Sequence, residues 1–304
     1  MFPMTHDIAI TVVVATRNRE ALLARLLDGL AKQFNAPPFE VIVGDNGSSD
    51  NTSGVVEKAR DRLQIHYVLE KRPGKGRVIN AALRFARGGL VVFTDDDTVP
   101  QHDWLFQLYA ASQKYPDVDI FGGKIEVDLR CVPVWIQRSF NLMGLLTSAH
   151  NLGDIDTIYP YGQYPFGPNM AIRRHLLAGR KSPYPVNLGP GTDYPVGDET
   201  AFLMQFSPLD SQDRLFIPTA KVFHEVEEEN LTLFGAIKRC YLSGKVHGRV
   251  FPPGASEKQQ NRISTFSLIL ARIGTCRSFR ELLCISVRYI GFLLRRFNGE
   301  SKTI

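Results

Sequence analysis

Short β-branched runs alternate with longer helical patterns through the first hundred residues. Ile8 to Ala15 is followed by Arg19 to Gln33, where Leu22, Leu23, Leu26, Leu27 and Leu30 recur at helical spacing. Strand Phe39 to Val43, helix Thr52 to Arg62, strand Ile65 to Leu69, helix Gly76 to Ala86 and strand Leu90 to Phe93 continue the pattern. Such alternation predicts an α/β fold with a mostly parallel central sheet and helices on both of its faces. Ligands of these sheets bind beyond the C-terminal strand ends. Each strand end in this half carries polar groups. Thr16-Arg17-Asn18 follows the first, Asp45-Asn46-Gly47-Ser48 the second, and Asp95-Asp96-Asp97 the fourth.

The aspartate triplet is costly for a strand end. Two like charges about 4 Å apart repel by roughly 1 kcal/mol in water and about 4 kcal/mol at the effective dielectric near a protein surface. A divalent cation with hard oxygen ligands, Mg2+ or Mn2+, would relieve that repulsion and would bind substrate phosphates as well. An acidic turn with all three side chains in water is the alternative. The net charge of +5 suits phosphorylated substrates or an anionic membrane surface. No aromatic-basic interleaving of the kind that binds RNA is present, so nucleic acid is not an expected partner.

With 44% hydrophobic and 22% charged residues, the 304-residue chain has ordinary globular composition. Cys131, Cys240, Cys276 and Cys284 lack zinc-ligand spacing and do not form a disulfide framework pattern. The apolar stretch Ile8 to Ala15 has no basic region before it and fails as a signal peptide. No apolar run reaches about 18 residues, the length a membrane span needs. These features predict a cytoplasmic chain. Residues 121–240 are irregular and rich in Gly, Pro and Tyr, and Phe251 through Arg262 reads as a linker. Two amphipathic, basic segments follow, Ser264 to Ile273 and Phe279 to Arg296, whose arginines would allow contact with the inner face of the plasma membrane, or which would equally pack on the catalytic domain.

Several of these motifs occur in a known order. Val12-Val13-Val14-Ala15-Thr16-Arg17-Asn18-Arg19, Val41 through Thr52 with Asp45 at its centre, Gly74-Lys75-Gly76-Arg77-Val78-Ile79-Asn80 and the aspartate triplet together resemble family 2 glycosyltransferases. Phe166-Gly167-Pro168-Asn169-Met170-Ala171-Ile172-Arg173-Arg174 and Gly197-Asp198-Glu199-Thr200 fall where that family has acceptor-side motifs. The resemblance spans roughly residues 8 to 225. It implies a GT-A-type α/β/α sandwich over residues 1–250, with a donor half at about 8–100 and an acceptor half at about 120–230. Residues 251–304 would form a linker and a C-terminal helical appendage. The implied activity is inverting, metal-dependent transfer of a sugar from a nucleoside diphosphate, with a UDP-sugar favoured, to a saccharide or lipid-linked saccharide hydroxyl in polysaccharide or glycoconjugate synthesis.

The resemblance also implies residue roles. Ala15, Thr16, Arg17, Asp45, Lys75, Arg77, Asp95 and Asp96 would bind the nucleotide-sugar, with Asp45 accepting from the nucleobase. Asp45 would equally serve an Asx-turn before the following helix. Lys75 and Arg77 open a helix in a Gly-rich turn, where cations and backbone N–H groups can approach a diphosphate. A solvated basic loop is the plainer reading. Asp95, Asp97 and His224 would hold Mn2+ or Mg2+, His224 having a structural strand position as its alternative.

Relatives usually have Gly-Glu-Asp where this chain has Gly197-Asp198-Glu199. By that resemblance Glu199 would occupy the general-base position, with Asp198 as the rival base or the group that orients the acceptor, and capping of the helix that follows is the plainer reading of both. Trp135 and Asn169 are expected on the acceptor side. Val91 through Val99 also resembles the first motif of haloacid-dehalogenase-type phosphatases, although that motif normally lies on the first strand and the later acidic pair is missing. An inactive relative serving as a membrane-surface scaffold is the non-catalytic reading.

Overall fold

The computed structural model describes residues 7–250 and 276–297. They divide into two compact units. The first comprises the chain up to Glu126, His150–Asp193 and Asp198–His224. The second comprises Val127–Ala149, Tyr194–Gly197 and the chain from Glu225 onward. The expected linker over 251–262 and the amphipathic segment over 264–273 lie outside the described residues.

A single sheet organises the first unit. Its strands are β1 (Ile10–Thr16), β2 (Phe39–Asp45), β3 (Ile65–Leu69), β4 (Leu90–Asp95), β5 (Thr98–Pro100), β6 (Ile120–Glu126), β7 (Thr157–Ile158), β8 (Met170–Arg173) and β9 (Arg214–His224). Their order is β3-β2-β1-β4-β8-β6-β9-β5, with β7 paired to the start of β9. The β1–β2, β1–β4, β2–β3 and β6–β9 pairs are parallel. β8 runs antiparallel between β4 and β6.

The apolar strand runs work because alternate residues serve opposite faces. Val12, Val14, Val41, Val43 and Val92 pack with α1 (Glu20–Ala31), α2 (Thr52–Ala59) and α4 (Trp104–Lys114). Val13, Ile42, Val91 and Phe93 face α3 (Lys75–Leu83) and α7 (Asp198–Met204). Both faces are therefore covered, and burying such side chains contributes about 1.5–3 kcal/mol each.

The strand and helix order expected for the first hundred residues holds, with shifted ends. β1, β2 and β4 each run further toward their C-termini, to Thr16, Asp45 and Asp95. The polar residues read as loops are thus the last rungs of the ladder. Residues 121–240, irregular by sequence, contain β6, β8, β9 and α7, whose apolar runs are too short for their period to show.

The second unit contains α5 (Val134–Gln137), α6 (Phe140–Thr147), α8 (Glu228–Leu231), α9 (Leu233–Val250) and α10 (Phe279–Phe297). Ile136, Leu142, Leu146, Cys240, Cys284 and Ile285 share its core. α9 and α10 approach through glycine. A Cβ on Gly244 would lie 1.9 Å from the Arg288 carbonyl oxygen, and one on Gly291 would lie 2.4 Å from that of Tyr241. Any side chain at either position would push the helices apart.

Candidate active site

Strand register assembles the donor-side groups. Thr16 lies opposite Asp45 across β1 and β2, and Ala15 opposite Asp95 across β1 and β4, so the C-terminal ends of three parallel strands share one sheet edge. Asp96 and Asp97 form the turn between β4 and β5, which the Thr98 hydroxyl braces by donating to the Asp95 carbonyl at 2.8 Å. β5 then pairs with the end of β9, placing Thr98 opposite His224. That pairing carries His224 Nε2 to 3.4 Å from Asp97 Oδ1.

The three aspartates have different surroundings. Asp95 Oδ1 accepts from Lys75 Nζ at 2.8 Å. Asp96 turns inward, accepting from Thr16 Oγ1 at 2.7 Å and Arg19 Nη1 at 3.1 Å. Burial pushes its pKa up to about 6 despite Arg19. Asp97 Oδ2 accepts from the same Arg19 nitrogen at 2.8 Å. Burial also works to raise Asp97, but the charges of His224, Arg19 and Lys75 outweigh it and hold the carboxyl below its usual range.

Asp97 Oδ1 is buried with no hydrogen-bond partner. An orphaned carboxylate oxygen is costly, and here it faces an imidazole nitrogen. Asp95, Asp97 and His224 each offer one ligand atom, all within 4.8 Å of one another. The residues present fit a divalent cation, with carboxylates suited to Mg2+ or Mn2+ and the imidazole tolerated better by Mn2+.

A second acidic pair opens α7. Asp198 is 2% exposed and accepts from Tyr184 Oη at 3.0 Å. Burial and the neighbouring Glu199 push it up to about 7, against the pull of Lys75. Glu199 is held below its ordinary value, because Lys75 overcomes the effect of burial. Its Oε1 accepts from Lys75 Nζ at 3.1 Å. A Cβ on Gly167 would lie 2.4 Å from that oxygen, so a side chain there would displace the carboxylate from its present position. Lys75 thus bridges the donor-side Asp95 and the acceptor-side Glu199. Burial disfavours its charge, but Asp95, Glu199 and Asp198 keep it protonated. A small pocket lined by Ala15, Lys75, Asp95, Gly167, Met170 and Tyr184 lies at this junction.

Other expected site residues are placed as follows. Asp45 is 2% exposed, with Oδ1 accepting from the Ser48 amide at 2.7 Å and Oδ2 from Tyr67 Oη at 2.6 Å. Asp45 therefore braces the turn after β2 through the amide three residues on, and a nucleobase would share these oxygens. Asn46 is spent on the loop before α3, donating to the Glu70 and Arg72 carbonyls at 2.9 and 2.8 Å. Arg17 is exposed and Arg77 half-buried on the first turn of α3. The Lys75 amide donates to the Pro190 carbonyl at 3.0 Å and is not open to a phosphate.

Asn169 corrects its expected acceptor-side place. It is fully buried, accepts from Trp104 Nε1 at 2.9 Å and donates to the Lys124 and Ala220 carbonyls, so its amide is used within the frame. Trp135 belongs to the second unit, where the Arg280 guanidinium lies 6.0 Å from its ring. Sequence patterns did not mark Arg19, Tyr184 or Gly167 as site residues. Arg19 was visible only as the end of the first motif, and Tyr184 is one of many tyrosines in loops.

A mostly parallel sheet whose strand ends gather an aspartate triplet, a histidine and a lysine-bridged carboxylate pair defines a GT-A-type fold. The model of the family described as glycosyl transferase family 2 matches residues 11–178, and the chain belongs to that family. These matches give no support to the phosphatase or inactive-scaffold readings.

The chain is 32% identical over 128 residues to a chondroitin synthase of Pasteurella multocida (strain Pm70), covering 41% of this chain and 13% of that protein. It is 38% identical over 110 residues to a validoxylamine A glucosyltransferase of Streptomyces hygroscopicus subsp. limoneus, covering 35% and 24%. The matched stretches thus span under a third of the relatives' length. Among solved structures, a mannosyltransferase from Pyrobaculum calidifontis in complex with GDP-Man and Mn2+ superposes with TM-score 0.57 at 21% identity, covering 93% of this chain and 74% of that one. Residues 1–349 of S. aureus TarS in complex with UDP-GlcNAc give TM-score 0.55 at 17% identity, covering 95% and 89%.

Proposed function

We propose that the chain is an inverting glycosyltransferase that moves a sugar from a nucleoside diphosphate, a UDP-sugar in the first instance, to a hydroxyl of a saccharide or lipid-linked saccharide. The observation that carries this reading is the Lys75 bridge, which sets a candidate base, Glu199, beside the carboxylates that would hold the donor. Polysaccharide or glycoconjugate synthesis is the setting the relatives' names suggest. The work falls to the first unit.

Asp95, Asp97 and His224 would hold Mn2+ or Mg2+, which when bound neutralises charge on the departing diphosphate. Arg19 fixes Asp96 and Asp97 in the turn, and Asp45 with Thr16, Ala15 and Arg17 borders the nucleotide end. Lys75 and Arg77 add positive charge at the donor edge. Glu199 takes the proton as the acceptor oxygen bonds to the anomeric carbon. The bond from that carbon to the phosphate oxygen breaks on the opposite face, which inverts configuration. Such proton transfer typically contributes about 100- to 10,000-fold.

Glu199 suits the base role better than Asp198 because Lys75 holds it ionised and its side chain is partly exposed. Asp198 is buried under Tyr184 and cannot meet a hydroxyl without moving. A panel of UDP-, GDP- and dTDP-sugars with Mn2+, read by thermal shift, identifies the donor through ligand stabilisation. UDP-sugars are expected to give the largest shift. A larger shift with GDP-sugars would replace the UDP assignment, and no shift with any of them would remove the transferase reading.

A further inference from the structure

Among the described residues no helix is long and apolar enough to cross a membrane. Yet α10 is apolar on two sides. One side is closed within the second unit, where Cys284, Ile285 and Glu281 are 0%, 1% and 2% exposed and Gly291 meets the α9 backbone. The other side is open. Phe279 is 77% exposed, Ile290 51%, Leu294 49% and Leu293 36%. Positions 279, 283, 287, 290 and 294 recur at helical spacing, so half-buried Leu283 and Val287 complete one stripe along the helix. Isolated exposed apolar residues need no explanation, but a continuous stripe over several turns marks an interaction surface.

Charge selects the occupant. Residues 276–297 contain Arg277, Arg280, Arg288, Arg295 and Arg296 against one acid, Glu281. Glu281 is buried, accepting from the Arg277 amide at 2.7 Å and from the Ser139 hydroxyl. Arg277 and Arg280 are exposed at the start of the stripe, the sequence adds Arg295 and Arg296 beyond its end, and the segment has no exposed carboxylate to offset them. A second copy docked antiparallel through the same stripe would bring arginine-rich ends together, which disfavours a dimer.

We propose that this face of α10 lies in the plane of an anionic membrane leaflet, its stripe at the acyl boundary and its arginines among the headgroups. The helix rests on the bilayer and does not span it. This docking is independent of the transfer reaction, since it uses no residue of the first unit.

Sedimentation of the full-length chain with phosphatidylcholine vesicles, alone or containing about 30 mol% phosphatidylglycerol, tests the assignment. Partition onto the anionic vesicles is expected to exceed that onto neutral ones by roughly tenfold or more. Ile290→Glu with Leu294→Glu should lower it by at least about tenfold, and Phe279→Glu, at the most exposed position of the stripe, should act in the same direction if the double variant misfolds. Wild-type protein that stays in the supernatant, binding that ignores lipid charge, or variants that bind as wild type would overturn the proposal. So would light scattering showing a wild-type dimer that the variants convert to monomer, since the stripe would then be an interface between copies.

Discussion

The two acidic clusters of the first unit are built from the same residue types and meet at the same lysine, yet their surroundings drive them apart. In the triplet, Arg19 supplies positive charge to Asp97 and the His224 imidazole lies 3.4 Å away, and the carboxylate stays ionised with one oxygen lacking a hydrogen bond. At the start of α7, a single cation serves two carboxylates. Lys75 favours Glu199, and burial leaves Asp198 close to neutral. The first arrangement is made to receive a further cation, the second to divide one charge between two groups. The lesson is that chemical role here follows from counter-charge and burial, because the side chains themselves are nearly interchangeable.

The sharpest way to break this comparison is Glu199→Gln. If Glu199 is the ionised base, turnover should fall by about 100- to 10,000-fold with the donor's thermal shift retained. Retained turnover would pass the base role to Asp198. Asp97→Ala probes the other cluster. It should remove metal-dependent release of nucleoside diphosphate by at least about 100-fold, measured with and without a chelator. Activity that still depends on added Mn2+ to the wild-type extent would place the cation elsewhere.

How much of this was legible in the sequence depends on distance along the chain. The β-branched runs fix β1 to β4 locally, and polar residues after them announce a functional sheet edge. Asp95, Asp97, His224 and Glu199 were singled out because motif order constrains them. Arg19 pairs with Asp97 across 78 positions, and Lys75 with Glu199 across 124. No local pattern says which way a long cationic side chain will turn, so Lys75 read as a phosphate ligand while its ammonium lies between carboxylates. Asn169 fits a motif equally well as a contact or a brace, and only its burial decides. The insertion of antiparallel β8 was likewise hidden, because Met170–Arg173 is four residues long and carries no period of its own.

Lys75→Met sharpens the link between the clusters. Removing one partner of a buried ion pair typically costs about 3–5 kcal/mol, so thermal stability should drop clearly. Without its cation, Glu199 should hold a proton more tightly, which moves the acid limb of the rate profile to higher pH. Lys75→Arg, which keeps the charge, should recover most of that limb. An acid limb that stays in place in Lys75→Met would mean that Glu199 is kept ionised by other groups.

Asp198→Asn should have the smallest effect on turnover, within about tenfold, and its signature is stability against pH. The folded-state pKa of Asp198 is raised, to about 7 from an ordinary value of 3.8. Below about pH 4 the carboxyl is protonated in folded and unfolded chains alike and costs nothing. As pH rises toward 7 the unfolded chain gives up this proton while the folded chain keeps it, so the wild type loses stability across that window. Above it the penalty is complete, on the order of 4 kcal/mol. Asn cannot ionise and still accepts from Tyr184, so the variant escapes the loss. Its melting temperature should therefore pull ahead of the wild type between about pH 4 and pH 7 and hold a constant lead above that. Melting curves that run parallel across the window would show Asp198 already ionised in the folded chain, and the contrast between the two clusters would disappear.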